Sequence, residues 1–306
     1  MKFSRILFPV DLSETSEKMV PYAFELADAF NASLHLLFVV RELNHYSTMN
    51  VPPAHIEQFR KRVTEGAEKS MDEFLNRHFP SNDNVRTDVS CGDIAEQILA
   101  WIEKESIDLL LLGTHGRKGL ERIFFGSIAD RVVKTSPVPV FMVNPYKRNS
   151  MLSAGSHKKR KILFPVDLSD ISPKLAPYVE LAAEAFHADI ELLSVIRPSG
   201  YFAALYEPDH DLETFKSAVQ KKTKASLSEF KDTHFEKFPG TNVRTAYGLI
   251  PEEILHRIDA AKIDLLVMGT HGRRGLDKVV FGSVAEQVSK SSPVPLLLIN
   301  PYRIRC

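Results

Sequence analysis

The hydrophobic and polar positions of this chain form two alternating patterns. Short apolar runs such as Arg5–Val10 and Ile107–Leu112 are bounded by turn-forming residues, which is typical of buried strands. Between the runs, apolar residues recur three and four positions apart, as on the buried face of a helix. Alternating strands and helices predict an α/β fold with a parallel sheet and right-handed crossovers.

This pattern predicts five strands in the first half of the chain. We expect the strands at Arg5–Val10, Ser33–Val40, Val85–Val89, Ile107–Leu112 and Val138–Val143. Ser16 is the expected N-cap of the first helix, and Ser172 the corresponding cap in the second half. The stripe on the second helix is interpreted as core packing; it consists of Phe59, Val63, Ala67, Met71 and Phe74.

The chain contains one glycine pattern twice. Gly113-Thr114-His115-Gly116, followed nine residues later by Gly126-Ser127, recurs as Gly269-Thr270-His271-Gly272 with Gly282-Ser283. The offset of 156 positions (269 − 113) also maps Pro9-Val10-Asp11 onto Pro165-Val166-Asp167. Solenoid repeats have periods of roughly 20 to 50 residues, so this period indicates a duplicated domain. We expect a first domain at 1–146, a linker at 147–158 and a second domain at 159–306.

Composition narrows the classes of partner and compartment. Lys+Arg and Asp+Glu balance at 39 each, so we expect neither nucleic acid nor a membrane as partner. The apolar runs are shorter than the about 20 residues of a membrane-spanning helix, and the N-terminus lacks a signal-peptide pattern. With only two cysteines in 306 residues, we expect a cytoplasmic protein without disulfides or thiolate metal sites.

Two turns carry candidate binding chemistry, Pro9-Val10-Asp11 and Gly113–Gly116. Ligands bind a parallel sheet beyond the carboxyl ends of its strands, where strand order reverses. The glycines allow the backbone to approach a ligand, and Gly126-Ser127 begins a helix whose first amides attract phosphate. The Asp11 carboxylate suits ribose hydroxyls or a cation, and capping of the following turn is its structural alternative.

Other interpretations of these residues stay open. Ser127 with Asp130, and Ser283 with Glu286, also match a helix-capping pattern, which is compatible with phosphate binding. His115 and His271 have no Cys, His or acidic residues at ligand spacing, which favours a loop position over a base or metal ligand. The Walker, Rossmann and Gly-x-Ser-x-Gly signatures are absent.

Both halves resemble the universal stress protein family, and the whole chain resembles its tandem members. The resemblance rests on the motif Gly-x2-Gly-x9-Gly-Ser, the Phe-Pro-Val-Asp strand ends and the Ser-Pro-Val-Pro segments at Ser136–Pro139 and Ser292–Pro295. It implies two Rossmann-like domains, each a five-stranded parallel sheet of order 3-2-1-4-5 flanked by helices. Each domain would hold ATP or another adenine nucleotide, with Mg²⁺ as an optional companion.

The resemblance also implies the binding residues. Val39 and Val195 would meet the adenine, Asp11 and Asp167 the adenosine portion, and the glycine segments the phosphates. The first-domain set is Pro9, Val10, Asp11, Val39, Leu112, Gly113, His115, Gly116, Arg117, Gly126, Ser127, Ile128 and Ala129. The second-domain set is Pro165, Val166, Asp167, Val195, Met268, Gly269, His271, Gly272, Arg273, Gly282, Ser283, Val284 and Ala285. No catalytic or metal-ligating residue is assigned.

These features predict a cytoplasmic, ATP-binding stress-response regulator with one nucleotide per domain, whose nucleotide state modulates an unidentified protein partner. The last strands, Val138–Val143 and Pro295–Ile299, are expected to pair as an intramolecular pseudo-dimer, with homodimerisation as a further option. A slow ATPase or nucleotidyl transferase using the same crevice, and a scaffold with a structural nucleotide, are the alternatives. AMP or a cyclic nucleotide also stays open as the ligand, because the glycine segments do not specify the number of phosphate groups.

Overall fold

The computed structural model describes residues 1–41, 53–80, 84–114, 126–147, 159–197, 210–271 and 281–304. The chain divides into two compact units, whose main ranges are Lys2–Tyr146 and Lys147–Tyr302. Each unit holds the same succession of strands and helices, as the internal repeat predicts.

The first unit contains five described strands and four described helices. In chain order they are β1 Arg5–Val10, α1 Glu14–Phe30, β2 Ser33–Arg41, α2 Pro53–His78, β3 Val85–Gly92, α3 Ile94–Lys104, β4 Leu109–Gly113, α4 Ser127–Thr135 and β5 Val140–Val143. The predicted strands are confirmed, with ends that differ by up to three residues.

The second unit repeats this order. Its elements are β6 Arg160–Pro165, α5 Ser172–Phe186, β7 Ala188–Ile196, α6 His210–His234, β8 Asn242–Tyr247, α7 Ile250–Ala261, β9 Leu265–Gly269, α8 Ser283–Ser291 and β10 Leu296–Ile299.

Each unit has a parallel sheet whose strand order reverses next to its first strand. The order is β3-β2-β1-β4-β5 in the first unit and β8-β7-β6-β9-β10 in the second. The pairings between these neighbours are parallel in the first unit and in the second. The expected α/β fold and the order 3-2-1-4-5 are therefore confirmed for both domains.

The centre of each sheet is covered on both faces. Leu109–Leu112 of β4 are all buried, and so are the four residues of β5. Such continuous apolar strands are expected where helices pack on both sides of a parallel sheet. Helix α1 buries Met19, Tyr22 and Leu26 among others, which confirms the apolar face predicted for it.

The predicted stripe on α2 is only partly buried. Ala67, Met71 and Phe74 belong to the core, but Phe59 is 49% exposed, so its assignment to the core is wrong. The helix has 26 residues and is roughly 39 Å long, whereas the eight residues of β3 beneath it span roughly 26 Å. The amino-terminal turns of α2 therefore extend beyond the sheet they would pack against.

Among the described residues, no helix combines the length and apolar character needed to cross a bilayer.

The two domains differ at one group of buried polar positions. His35 on β2 is buried, and Glu191 stands at its place on β7. In the second domain Arg257 donates two hydrogen bonds to the Glu191 carboxylate, one of them 2.6 Å long. Trp101 occupies the position of Arg257 in the first domain, where neither His35 Nδ1 nor Trp101 Nε1 has a hydrogen-bond partner among the described residues. The first domain thus keeps neutral groups where the second keeps an ion pair.

The neutral His35 makes the first domain sensitive to acid. Burial lowers the pKa of His35 below its ordinary 6.5, and the nearby Arg86 lowers it further, while Glu105 and Asp88 act in the opposite direction. Below pH 6.5 the unfolded chain therefore binds a proton that the native domain resists, and stability is lost as the pH falls.

We expect the first domain to become less stable between pH 8 and pH 5.5, and the loss to be smaller in His35→Gln, whose side chain does not titrate. The measurement is urea unfolding followed by the fluorescence of Trp101, the single tryptophan of the chain, which reports on this domain. An equal pH dependence in both proteins would contradict the assignment to His35.

Candidate functional site

The candidate site lies at the carboxyl ends of two strand pairs, β1 with β4 and β6 with β9. Strand β1 pairs with β2 on one side and with β4 on the other, so the chain crosses over β1 between β3 and β4. The ends of β1 and β4 therefore open into one crevice, as expected at a reversal of strand order. Strand β6 has the same position between β7 and β9.

Asp11 follows the last residue of β1 and is tightly bound to the start of α1. Its Oδ1 accepts hydrogen bonds from the Ser13 amide at 3.1 Å, the Ser13 hydroxyl at 2.5 Å and the Ser16 hydroxyl at 2.6 Å. The Ser16 oxygen also accepts the Asp11 N–H at 2.9 Å. The orientation of this carboxylate is therefore fixed by the protein.

Asp167 has the same environment at the end of β6. Its Oδ1 accepts from the Ser169 amide at 3.0 Å, the Ser169 hydroxyl at 2.6 Å and the Ser172 hydroxyl at 2.9 Å. Both halves thus build an Asp–Ser–Ser cluster with the spacing Asp-x-Ser-x-x-Ser.

The hydrogen bonds of these clusters contradict the predicted N-cap roles of Ser16 and Ser172. Helix α1 begins at Glu14 with Ser13 as its N-cap, and α5 begins at Ser172 itself with Ile171 as its N-cap. The predictions of Ser16 and Ser172 as N-caps are therefore wrong. Their hydroxyls are directed to the aspartates instead of to the first-turn amides.

The backbone next to each aspartate is strained. Leu12 and Leu168 both have φ of 57°, in the left-handed region that bulky residues rarely adopt. Such a conformation costs about 1–2 kcal/mol for a residue with a Cβ. Strain of this kind persists only where surrounding interactions enforce it, and it concentrates at functional sites.

Helices α4 and α8 start at the same edge of their sheets. Gly126 and Gly282 are their N-caps, and neither helix has a side-chain hydrogen bond at its cap. Ser127 and Ser283 are exposed first residues of the helices, so the alternative interpretation of these serines as N-caps does not hold. Asp130 and Glu286 form salt bridges with Lys134 and Lys290 one turn further on.

Because the glycine caps have no side chain, the first-turn amides of α4 and α8 receive no side-chain acceptor at their caps. The first helix-internal hydrogen bonds run from Asp130 N to Gly126 O and from Glu286 N to Gly282 O. The three preceding amides have no acceptor within their helix. They belong to Ser127, Ile128 and Ala129 in the first domain and to Ser283, Val284 and Ala285 in the second.

The two cap glycines differ in the space around them. Within the part of the chain that the structure describes, a Cβ on Gly126 would meet no heavy atom within 4 Å, whereas a Cβ on Gly282 would lie 3.1 Å from the Thr270 carbonyl oxygen. The Gly282 amide also donates to that oxygen at 2.8 Å. Local packing among the described residues therefore disfavours a side chain at 282, but not at 126.

Local packing also accounts for the absence of a side chain at position 269 and for the buried position of the His271 ring. A Cβ on Gly269 would lie 3.0 Å from both the His271 carbonyl and Leu175. The His271 ring is buried, with Nδ1 2.8 Å from the Thr270 hydroxyl and Tyr302 edge-on at 5.4 Å. The structure thus places this imidazole in a packed cluster at the end of β9.

The remaining predicted residues lie along the strand ends. Val10 pairs with Phe38, and extending this register by one residue places Asp11 beside Val39. In the second domain Pro165 pairs with Leu193. Extending this register by two residues places Asp167 beside Val195. Val10, Val39 and Val166 are buried, Val195, Pro9 and Pro165 are half-buried, and Leu112 and Met268 are buried just before Gly113 and Gly269.

Part of the predicted set cannot be placed. His115, Gly116, Arg117, Gly272 and Arg273 lie outside the described residues. Within the described part of the chain, His, Cys, Asp and Glu do not form any group of three or more suited to a metal ion.

Sequence reasoning missed the serine partners of the aspartates and the strained leucines. The serines had a detectable signal, since Ser13 and Ser16 recur at the 156-residue offset as Ser169 and Ser172. It also missed Tyr146, whose hydroxyl lies 2.7 Å from that of Thr15 near the start of α1.

Comparison with known proteins identifies the family. A model of the Universal stress protein family matches residues 2–144 and again residues 159–300. Universal stress protein MJ0531 of Methanocaldococcus jannaschii is 29% identical over 155 residues, which are 51% of this chain and 90% of that protein. A Universal stress protein E homolog of Haemophilus influenzae is 20% identical over 318 residues, covering 99% of both chains.

A solved structure with a similar fold spans both domains. The crystal structure of a universal stress protein from Archaeoglobus fulgidus covers 97% of this chain and 96% of its own, with 18% identity and a TM-score of 0.66. Two matches to the family model account for nearly all of the described residues, so the chain belongs to the universal stress protein family, as a member with two domains in tandem.

Proposed function

We propose that this protein is a cytoplasmic regulator that binds one adenine nucleotide, most simply ATP, in the crevice of each domain. Its nucleotide state would alter the binding of a protein partner. The observation that carries the proposal is the uncapped start of α4 and of α8 at the strand-order reversal, repeated in both domains.

The helix starts fit the phosphate groups of such a ligand. Three amides per helix have no helical acceptor, and the positive end of the helix dipole lies at the same place. Phosphate oxygens are the groups that such an end binds best. Exposed Ser127 and Ser283 add a hydroxyl to each set of amides.

The strand ends fit the rest of the ligand. Val39 and Val195 offer apolar side chains for the base, next to Asp11 and Asp167, whose carboxylates suit ribose hydroxyls. The distribution of apolar and polar groups along the crevice therefore follows that of an adenine nucleotide.

The same geometry favours binding over turnover. Oδ1 of Asp11 and of Asp167 already accepts three hydrogen bonds each, so within each carboxylate only Oδ2 is left to act as a general base. Hydrogen bonds to the ionised form also stabilise that form, which suits a fixed ligand contact better than proton transfer.

Equilibrium dialysis with ATP is expected to give close to two nucleotides bound per chain, because both crevices have the same helix start and aspartate. Mass spectrometry of the nucleotide released from freshly purified protein identifies the ligand that the protein carries, whether ATP, AMP or a cyclic nucleotide. The proposal is rejected if neither ATP nor these other nucleotides bind at millimolar concentration.

Gly126→Ala is expected to weaken nucleotide binding in the first domain by tenfold or more while leaving the fold intact. The new methyl group meets no atom of the described residues within 4 Å, and the Gly126 backbone, with φ of −58° and ψ of 142°, is allowed for alanine. The methyl group would instead occupy space at the helix start where the phosphate approaches. Isothermal titration calorimetry with ATP measures the loss.

Gly66→Ala is the matched control, because a Cβ there also meets no described atom within 4 Å but lies on α2, away from the crevice. It should bind ATP as the wild type does. Equal affinities of all three proteins would contradict the placement of the phosphates at Gly126.

A further inference from the structure

We propose that Ser16 and Ser172 are positioning residues for the nucleotide sites. Each hydroxyl holds the carboxylate of the preceding strand-end aspartate in the orientation that meets the adenosine portion. This inference rests on the proposed nucleotide binding and deepens it.

The first argument is the geometry of the Asp11 cluster. Ser16 donates to Asp11 Oδ1 at 2.6 Å and accepts the Asp11 N–H at 2.9 Å, so one hydroxyl bridges the main chain and the side chain of the same residue. Rotation of the carboxylate would break the Ser16 contact together with those of Ser13. Removal of the Ser16 hydroxyl therefore takes away one of the three hydrogen bonds that hold this carboxylate in one orientation.

The second argument is that the arrangement occurs twice in different surroundings. Ser16 follows Thr15, whereas Ser172 follows Ile171, and α1 and α5 have different N-caps. Both serines are nevertheless buried and donate to Oδ1 of their aspartate. Since neither hydroxyl caps its helix, the contact shared by the two domains is the one to the aspartate.

The third argument is the strained backbone between each aspartate and its serines. Leu12 and Leu168 adopt the same left-handed φ of 57° directly after Asp11 and Asp167. The amides of Ser13 and Ser169 reach the carboxylates only because the chain turns at these leucines. The strain is thus linked to the orientation of the carboxylate, as in a preorganised binding site.

A double-mutant cycle separates a positioning role from a merely structural one. The variants are S16A/S172A, D11N/D167N and the combination of all four substitutions, each introduced in both domains of the full chain. ATP affinity is measured by calorimetry well below the thermal midpoint of every variant, and the midpoints are recorded by circular dichroism.

If the serines act through the aspartates, S16A/S172A binds ATP about tenfold more weakly than the wild type, as expected for losing a hydrogen bond to a charged group. The fourfold variant then binds no more weakly than D11N/D167N. An unchanged affinity in S16A/S172A, or a further tenfold loss in the fourfold variant, would overturn the inference.

Ser136 and Ser292 provide the matched control. Both are buried and hydrogen-bond the backbone two residues further on, but they precede β5 and β10, at the opposite edge of the sheets from the crevice. S136A/S292A should lower the thermal midpoint without changing ATP affinity. An affinity loss equal to that of S16A/S172A would assign the effect to general destabilisation and reject the inference.

The same experiments distinguish this inference from the proposed function. If the wild type itself binds neither ATP nor another adenine nucleotide, the proposed function fails and the positioning role with it. If the wild type binds ATP and S16A/S172A binds it equally well, only the positioning role fails. Should S16A/S172A not fold, S13A/S169A removes a different donor from the same oxygens and is expected to weaken ATP binding in the same cycle.

Discussion

The position of the first strand of each domain in the middle of its sheet governs the rest of the structure. Strand β1 has β2 on one side and β4 on the other, and β6 has β7 and β9. The loops that leave two neighbouring strands must then turn in opposite directions, and a crevice opens between them. This places an aspartate after one strand and the terminal glycine of its neighbour at the same opening of the crevice, the mouth of the candidate site.

Interactions around this mouth differ from those in the core. The core depends on apolar strands covered by helices, whereas the mouth contains a strained leucine, a saturated carboxylate oxygen and a helix start without a cap. Each of these departs from what local preferences favour, and such departures are expected where a protein binds a ligand. The aspartate clusters, the strained leucines and the helix starts recur in both domains.

The two domains have diverged more in the core than at the mouth. The Asp–Ser–Ser cluster is common to both, but His35 and Trp101 of the first domain are replaced by the Glu191–Arg257 ion pair in the second. A buried polar position tolerates either a neutral group or a compensated pair of charges.

The sequence by itself determined the duplication, the order of strands and helices, and the location of the two candidate mouths. These features follow from local hydrophobic patterns and from an internal repeat whose offset can be read directly from the amino-acid sequence. Only the tertiary structure decided the roles of Ser16 and Ser172, the exposure of Phe59 and the need for glycine at 282. Each of these depends on which atoms other segments bring near: a serine three residues into a helix matches a cap pattern until a carboxylate from the preceding strand reaches its hydroxyl.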